Sequence, residues 1–377
     1  MNFKELIVFE QKHELWEYKL LQYPLWIHCR EPLMSTAIMA ERKMRRPSLG
    51  EMFKSFWQTM KFLLSQKKYD KVFFLMERAE LLEVYYQEKN PRKILFLNPE
   101  QERAYKGEDA ISSDFFSFLR FLSRKTAYLL FYYKYKRIIK SLEMVDIEKY
   151  IQDAFGDALF LKFLSIILSK KNQKIYTGAV IPIGEKFINA LNSYEVQHGV
   201  IYPTHIGYIG IPKVKNTLIL YSQRYENILY KEEYLGRIEV NNYKKNFFEK
   251  LSYRHFSIVI YSQPLLEMQE KINDFFKRYQ PKDVFIQRHP KDYFSYNIEP
   301  KKFVTATTPF EVKYPIMYLS SVMENFTNYD KNCYLIDLKS MDIDSNDFID
   351  IYTQGSKSKI FIKSSFEEIY EELKCQK

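Results

Sequence analysis

His255-Phe256-Ser257-Ile258-Val259-Ile260-Tyr261-Ser262 is an almost unbroken apolar run of β-formers, and together with the segments after it this run decides the fold class. Residues 265–279 read as a helix ended near Pro281, and residues 283–287 are a second short apolar run closed by Arg288-His289-Pro290. A strand, a helix and another strand in this order make a βαβ unit. Downstream, residues 302–305, 315–319 and 333–337 read as strands, Ser320-Ser321 opens a helix over 322–326, and residues 366–373 form a last amphipathic helix. Strands alternating with helices imply a parallel sheet covered by helices, with ligands held beyond the strands' carboxyl ends.

The first half carries the same grammar less plainly. Residues 71–76, 93–97, 174–181 and 193–197 read as strands, with another starting at Thr217. Residues 10–22 have helical spacing, and in residues 49–67 Met52, Phe53, Phe56, Trp57, Met60 and Leu63 recur at threes and fours, as on a buried helix face. Residues 114–142 read as a long basic amphipathic helix, of a kind that can lie on an anionic membrane, and residues 146–169 as a further helix. The expected class is α/β, with two Rossmann-like domains, residues 1–215 and 216–377, facing an interdomain cleft; the last helix is able to pack back on the first domain.

At 377 residues the chain exceeds one usual hydrophobic core, and 46% hydrophobic residues suffice to fill two. The formal charge of +10 suits anionic partners. Cys29, Cys333 and Cys375 are scattered, which suggests neither a disulfide framework nor a metal site. The start of the chain lacks the pattern of a signal peptide and no apolar window is long enough for a bilayer span, so a cytoplasmic protein, peripheral at the inner face of the membrane, is expected.

Three stretches bear chemistry. At the midpoint, Glu195-Val196-Gln197-His198-Gly199-Val200-Ile201 ends a strand in a polar turn, succeeded by His205 and Gly207-Tyr208. Arg288-His289-Pro290 puts an imidazole at a sheet's carboxyl edge, with Pro290 stopping the ladder and Arg288 pointing to the opposite face. Ser320-Ser321 combines hydroxyls with free backbone N–H groups at a helix start, an arrangement that suits a phosphate.

An Arg-His-Pro strand end with a Ser-Ser strand-to-helix turn downstream resembles the pairing in bacterial GT-B sialyltransferases and polysialyltransferases, and in the related capsule Kdo transferases and teichoic-acid polyol-phosphate transferases. The midpoint stretch is similar to a segment of surface-polysaccharide glycosyltransferases, as is Trp26-Ile27-His28-Cys29-Arg30 to their Trp-x-x-x-Arg segment. The resemblance implies a GT-B fold. It implies that His289, Pro290, Ser320 and Ser321 contact a cytidine nucleotide donor, with Pro309-Phe310-Glu311 placing Glu311 near the ribose. The activity implied is inverting transfer of a nonulosonic acid or Kdo from a CMP-activated donor to a capsule, lipooligosaccharide or other surface glycan. The acidic first-domain motif common in the sialyltransferases is not evident here; Asp153, Gly156 and Asp157 fall in a helical reading.

Such transfer needs a base for the acceptor hydroxyl. His198 is the first choice and His205 the second, with Glu10 or Glu77 as carboxylate fallbacks; either imidazole could instead orient the loop or meet the donor phosphate. No metal ligand set and no cofactor are expected beyond the CMP-sugar substrate. The expected partners are a nucleotide-sugar donor, a glycan or glycolipid acceptor and an anionic membrane surface, with no nucleic acid. Transfer of a polyol phosphate from a CDP donor is the nearest rival. A basic nucleic-acid-binding protein and a membrane-surface scaffold are the rivals from other classes.

Overall fold

The computed structural model describes residues 3–20, 23–27, 29–30, 48–64, 70–74, 84, 94–97, 109–111, 122–123, 154, 156, 158–159, 162, 174–178, 192–197, 199, 201–212, 216–241, 255–290, 292–305, 307, 309–338, 346–353 and 356–375. The chain divides into two units, the first comprising Met1–Met34 and Arg45–Lys244, the second built on Lys245–Lys377.

The first unit begins with helix α1 (Phe3–Lys12), the two-stranded ribbon β1 (Lys19–Leu20) and β2 (Tyr23–Pro24), and helix α2 (Leu49–Leu64). Its sheet holds β3 (Lys71–Phe74), β4 (Ile94–Leu97), β5 (Asp109–Ile111), β6 (Lys174–Gly178), β7 (Asn192–Val196), β8 (Thr217–Leu220) and β9 (Arg237–Val240), with helix α3 (Gln223–Lys231) joining the last two. The strands lie in the order β5-β4-β3-β6-β7-β8-β9, and every pair is parallel. Counted from β3 this is the Rossmann order with one strand added at the edge. Phe73, Tyr176 and Tyr194, in register on β3, β6 and β7, stack at 4.9 and 5.2 Å and tie the sheet's centre together.

The second unit contains β10 (Phe256–Tyr261), helix α4 (Leu266–Tyr279), β11 (Val284–Gln287), β12 (Phe303–Val304), β13 (Val312–Met317), helix α5 (Ser321–Thr327), β14 (Cys333–Ile336), helix α6 (Asn346–Thr353), β15 (Ile360–Lys363) and helix α7 (Phe366–Cys375). All strands are parallel in the order β12-β11-β10-β13-β14-β15, again the Rossmann order. On one face Ile258, Ile260, Val284, Ile286, Ile316 and Ile336 pack with Met268, Ile272 and Phe275 of α4 and Phe366, Ile369 and Leu373 of α7. Each such fully buried side chain contributes about 1.5–3 kcal/mol. On the other face Tyr261 meets Phe326 of α5 edge-on at 5.7 Å. Burial on both faces is why Ile258-Val259-Ile260-Tyr261 of β10 is continuously apolar rather than alternating. Gln280, in the left-handed region at φ 42°, ends α4 just before Pro281.

The α/β class and the two Rossmann-like units, the make-up of a GT-B chain, are as expected. The boundary at 215/216 is corrected. Strand β8 pairs with β7 and β9 with β8, so residues 217–240 complete the first sheet and the division falls near Lys244. The last helix packs into the core of its own unit. In α2 the helix is as expected but its burial is not: Phe53 and Trp57 are 63% and 57% exposed. Of the expected helices at 114–142 and 146–169, only residues 122–123, 154, 156, 158–159 and 162 are described, and these are helical. No helix among the described residues is long and apolar enough to cross a membrane.

Candidate functional site

In the second sheet the chain runs outward from β10 through β11 to β12, then crosses back to place β13 on the other side of β10 and continues outward from there. The carboxyl ends of β10 and β13 therefore form the switch point, where an open α/β sheet leaves a crevice. Three of the expected donor contacts come to this edge. His289 and Pro290 come directly after β11 and Ser320 after β13, on the two strands flanking β10. With strands about 4.8 Å apart, the two contact sets stand about 10 Å from each other across Ser262.

The His-Pro turn is built on a buried carboxylate. Asp292, whose side chain is fully covered, accepts from the Ser262 hydroxyl, from the Tyr296 hydroxyl at 2.6 Å and from the Phe294 N–H at 3.2 Å. Ser262 Oγ in turn accepts the His289 N–H at 3.3 Å, and the Asp292 N–H closes the turn on the His289 carbonyl at 2.8 Å. Burial first, then the hydrogen bond to Asp292, raises the Tyr296 phenol above its usual pKa, so it stays a donor to the carboxylate. Arg288 donates to the carbonyls of Asp292 and Phe294, both at 2.6 Å, and lies over Tyr296 with its charge 5.2 Å from the ring centre. Arg288 thus braces the loop through its side chain, while His289, half-buried, is held through its backbone by Ser262 and Asp292.

After β13, on the other side of β10, Ser320 caps α5: its hydroxyl accepts from the Val322 N–H at 3.2 Å, and its carbonyl accepts the Tyr352 hydroxyl at 3.2 Å. The first amides of a helix lack intrahelical partners; here the Val322 N–H is taken by the Ser320 hydroxyl and the Met323 N–H by the Ser320 carbonyl at 3.0 Å, so the Ser321 N–H is the donor this turn offers at the sheet edge. Ser321 begins the helix. Gln287 Oε1 accepts from both the N–H and the hydroxyl of Thr307 at 2.7 Å, and Thr307 Oγ1 lies 2.6 Å from the Tyr261 hydroxyl, which pins the chain leaving β12 across the ends of β10 and β11.

Glu311 is the correction in this unit. It stands immediately before β13, and its carbonyl accepts from the N–H of Phe256, the first residue of β10. In a parallel sheet the residue entering a strand lies at the amino edge, so Glu311 is on the opposite rim from Ser320. There it lines a cavity of about 360 Å³ with His255, Phe256, Lys313 and Lys331.

In the first unit, the described part of the midpoint stretch is tightly constructed. Gln197 is fully buried at the end of β7; its Nε2 donates to the Gly199 carbonyl at 2.8 Å and its Oε1 accepts the Tyr221 N–H at 3.3 Å. The Tyr221 hydroxyl donates to the same Gly199 carbonyl at 2.8 Å, and Gly199 takes φ +74°, a backbone that favours glycine. His198 lies outside the described residues, as do Glu77, Asp153 and Asp157. His205 lies between Tyr202 and Tyr208, tilted to both with ring centres 4.7 and 4.8 Å away, and its Nδ1 accepts the Gly207 N–H at 3.1 Å. That bond selects the tautomer protonated at Nε2, which makes the neutral ring a donor at its other nitrogen rather than a base.

Glu10 is not available as a base. It is buried in α1, and both its oxygens are taken: Oε1 by Trp26 Nε1 and Arg30 Nε, each at 2.7 Å, and Oε2 by Trp16 Nε1 and Arg30 Nη2, each at 3.2 Å. Arg30, with no exposed surface, sends Nη1 to the carbonyls of Ile206 and Ile209 at 2.7 and 2.9 Å. Burial lowers the Arg30 pKa from its usual value, and the Glu10 charge opposes this. The Trp-x-x-x-Arg segment is therefore the clamp that fastens the turn after His205 to α1. Sequence reasoning missed this, and missed Ser262, Asp292 and Thr307. Two signals existed: a hydroxyl directly past the apolar run Ile258–Tyr261, and an acid two residues past Pro290.

No family model matches the chain, and no curated protein matches it. Among solved structures, the wall teichoic acid polymerase TagF is similar with a TM-score of 0.43 at 9% identity, over 87% of this chain and 89% of that one. A putative UDP-N-acetylglucosamine 2-epimerase from Listeria monocytogenes is similar with a TM-score of 0.36 at 6% identity, over 72% and 80%. Likeness at this level carries no argument about what this chain binds or does.

Proposed function

We propose that this chain is a glycosyltransferase whose second unit holds a cytidine-activated donor at the β10–β13 switch point. It moves a nonulosonic acid or Kdo from CMP, with inversion, to a capsule, lipooligosaccharide or other bacterial surface glycan. The observation that carries the reading is the joint placement of His289 and Ser320 around Ser262, on a turn made rigid by buried Asp292. Leaving of a cytidine phosphate places negative charge where oriented donors stabilise it most, and the imidazole of His289 with the Ser321 N–H that opens α5 are such donors. The choice of cytidine rests on the motif resemblance. A net charge of +10 favours encounter with an anionic donor. His198 is the residue assigned to the acceptor proton; His205, in the tautomer its Gly207 contact selects, orients the loop or donates.

A thermal-shift panel of CMP, CDP, UDP, GDP and ADP tests the reading, because a nucleotide bound to the native state raises its stability by mass action. CMP and CDP are expected to raise the melting temperature and His289→Ala to remove that response. A response selective for UDP refutes the donor choice. Release of CMP from a CMP-sugar supports glycosyl transfer, whereas release from CDP-glycerol or CDP-ribitol reassigns the enzyme to polyol-phosphate transfer. Oligonucleotide binding that is steeply salt-dependent and indifferent to CMP refutes both.

A further inference from the structure

Helix α2 turns a strongly apolar face outward. Leu49, Phe53, Trp57 and Leu64 are 82%, 63%, 57% and 76% exposed, on a helix that also has Met60 half-buried between them. At about 100° per residue these five positions fall within an arc of about 80°, and the stripe runs about 22 Å along the helix. Lys54 and Lys61, both exposed, form the row that borders the stripe just beyond Trp57. Between them a groove of about 820 Å³ is lined by Lys54, Trp57, Gln58, Lys61 and Leu64. The one acid in the helix, Glu51, is turned back to its start, where Oε2 accepts the Ser48 N–H at 2.7 Å and the Ser48 hydroxyl at 2.9 Å, while the Glu51 N–H bonds Ser48 Oγ at 3.3 Å. That reciprocal cap secures the first turn, so Leu49 and Phe53 are held in helical register.

We infer that α2 is a docking helix that lies in the surface of an anionic phospholipid bilayer. The occupant is argued from charge and chemistry together. A contiguous apolar stripe of this size on a water-facing surface marks an interaction site. A row of Leu, Phe and Trp bordered along one side by lysines matches the acyl boundary and the phosphate level of a leaflet, with the indole at the interface and the lysine stems reaching up to phosphates. The net charge of +10 adds attraction to an anionic leaflet. The inference is independent of the donor and of the reaction.

The test is co-sedimentation of the full chain with vesicles of phosphatidylcholine alone and of phosphatidylcholine with phosphatidylglycerol, at low and high salt. Binding is expected to the anionic vesicles and to weaken with salt. Phe53→Ala with Trp57→Ala is expected to lower partitioning about tenfold or more per side chain, with an unchanged melting temperature because both are exposed. Lys54→Glu with Lys61→Glu is expected to abolish the preference for phosphatidylglycerol while leaving the fold intact. Failure of the wild type to bind anionic vesicles overturns the inference, and so does undiminished binding by the aromatic double variant. A dimer in solution that Phe53→Ala with Trp57→Ala converts to monomer also overturns it, by showing that a second copy covers the stripe.

Discussion

Removing Arg30 tests how the first unit is held together. Arg30→Ala leaves the buried Glu10 carboxylate with only the indoles of Trp16 and Trp26, and it leaves the carbonyls of Ile206 and Ile209 without their donor. Loss of one partner from a buried ion pair costs about 3–5 kcal/mol, and each abandoned buried carbonyl adds about 1 kcal/mol or more. The expected loss is therefore about 5–7 kcal/mol, comparable to the whole stability of a marginal unit. Glu10→Ala is expected to cost about 3–5 kcal/mol. The double variant should recover about 2–3 kcal/mol of the sum, the coupling of neighbours in one network. Arg30→Lys is the discriminating case. It restores a charge for Glu10 but lacks the planar fork that serves four acceptors, so about 2 kcal/mol should still be lost. Urea unfolding monitored by tryptophan fluorescence is the assay, since two of the chain's three tryptophans donate to Glu10. Additivity of the two alanine variants to within about 0.5 kcal/mol refutes the network, and so does wild-type stability in Arg30→Lys.

The same geometry sets three further outcomes. Asp292→Asn keeps the shape of the side chain but places an amide where two hydroxyls and an N–H donate, so it should cost about 2–3 kcal/mol; CMP affinity should fall with it, and calorimetric titration that finds affinity unchanged separates the turn from the donor site. Gly210→Ala should cost about 1–2 kcal/mol, because Gly210 takes φ +64° and a methyl there presses on Ile7 Cδ1 and sits 3.1 Å from Arg30 Nη2; urea melts measure it, and a neutral result refutes the clamp's close fit. Burial raises the phenols of Tyr234, Tyr261 and Tyr296 above their usual value, so folding favours their protonated forms. Their contribution to stability is complete below about pH 10 and declines above it as the unfolded chain ionises first, by about 1.4 kcal/mol per phenol per pH unit; phenolate absorbance should appear together with unfolding rather than before it.

What could be read in advance depended on whether one chain segment carried its own explanation. The β10–α4–β11 unit was legible because a nearly all-apolar strand, an amphipathic helix and a Pro stop differ in period and length. Strand β9 escaped notice because at the sheet's edge Arg237-Ile238-Glu239-Val240 need bury only alternate residues, and losing it moved the expected boundary from near Lys244 to 215. Glu311 was misplaced because a motif has no direction until the strand order is known, and only the parallel return to the amino rim shows which edge it serves. For Phe53 and Trp57, periodicity identified an apolar face without saying what covers it. Glu10 resembled a free carboxylate because its partners lie six to twenty residues away, and the partners of Arg30 lie 176 and 179 residues further on.

That last separation has a consequence in the cell. At a synthesis rate of about 5–20 residues per second, the ribosome emits Arg30 roughly ten seconds or more before Ile206 and Ile209 emerge to receive it. Until then the amino-terminal helix, its two indoles and a paired charge have no turn to close upon. The first unit is therefore completed late in translation, by a latch whose halves are made at opposite ends of the same domain.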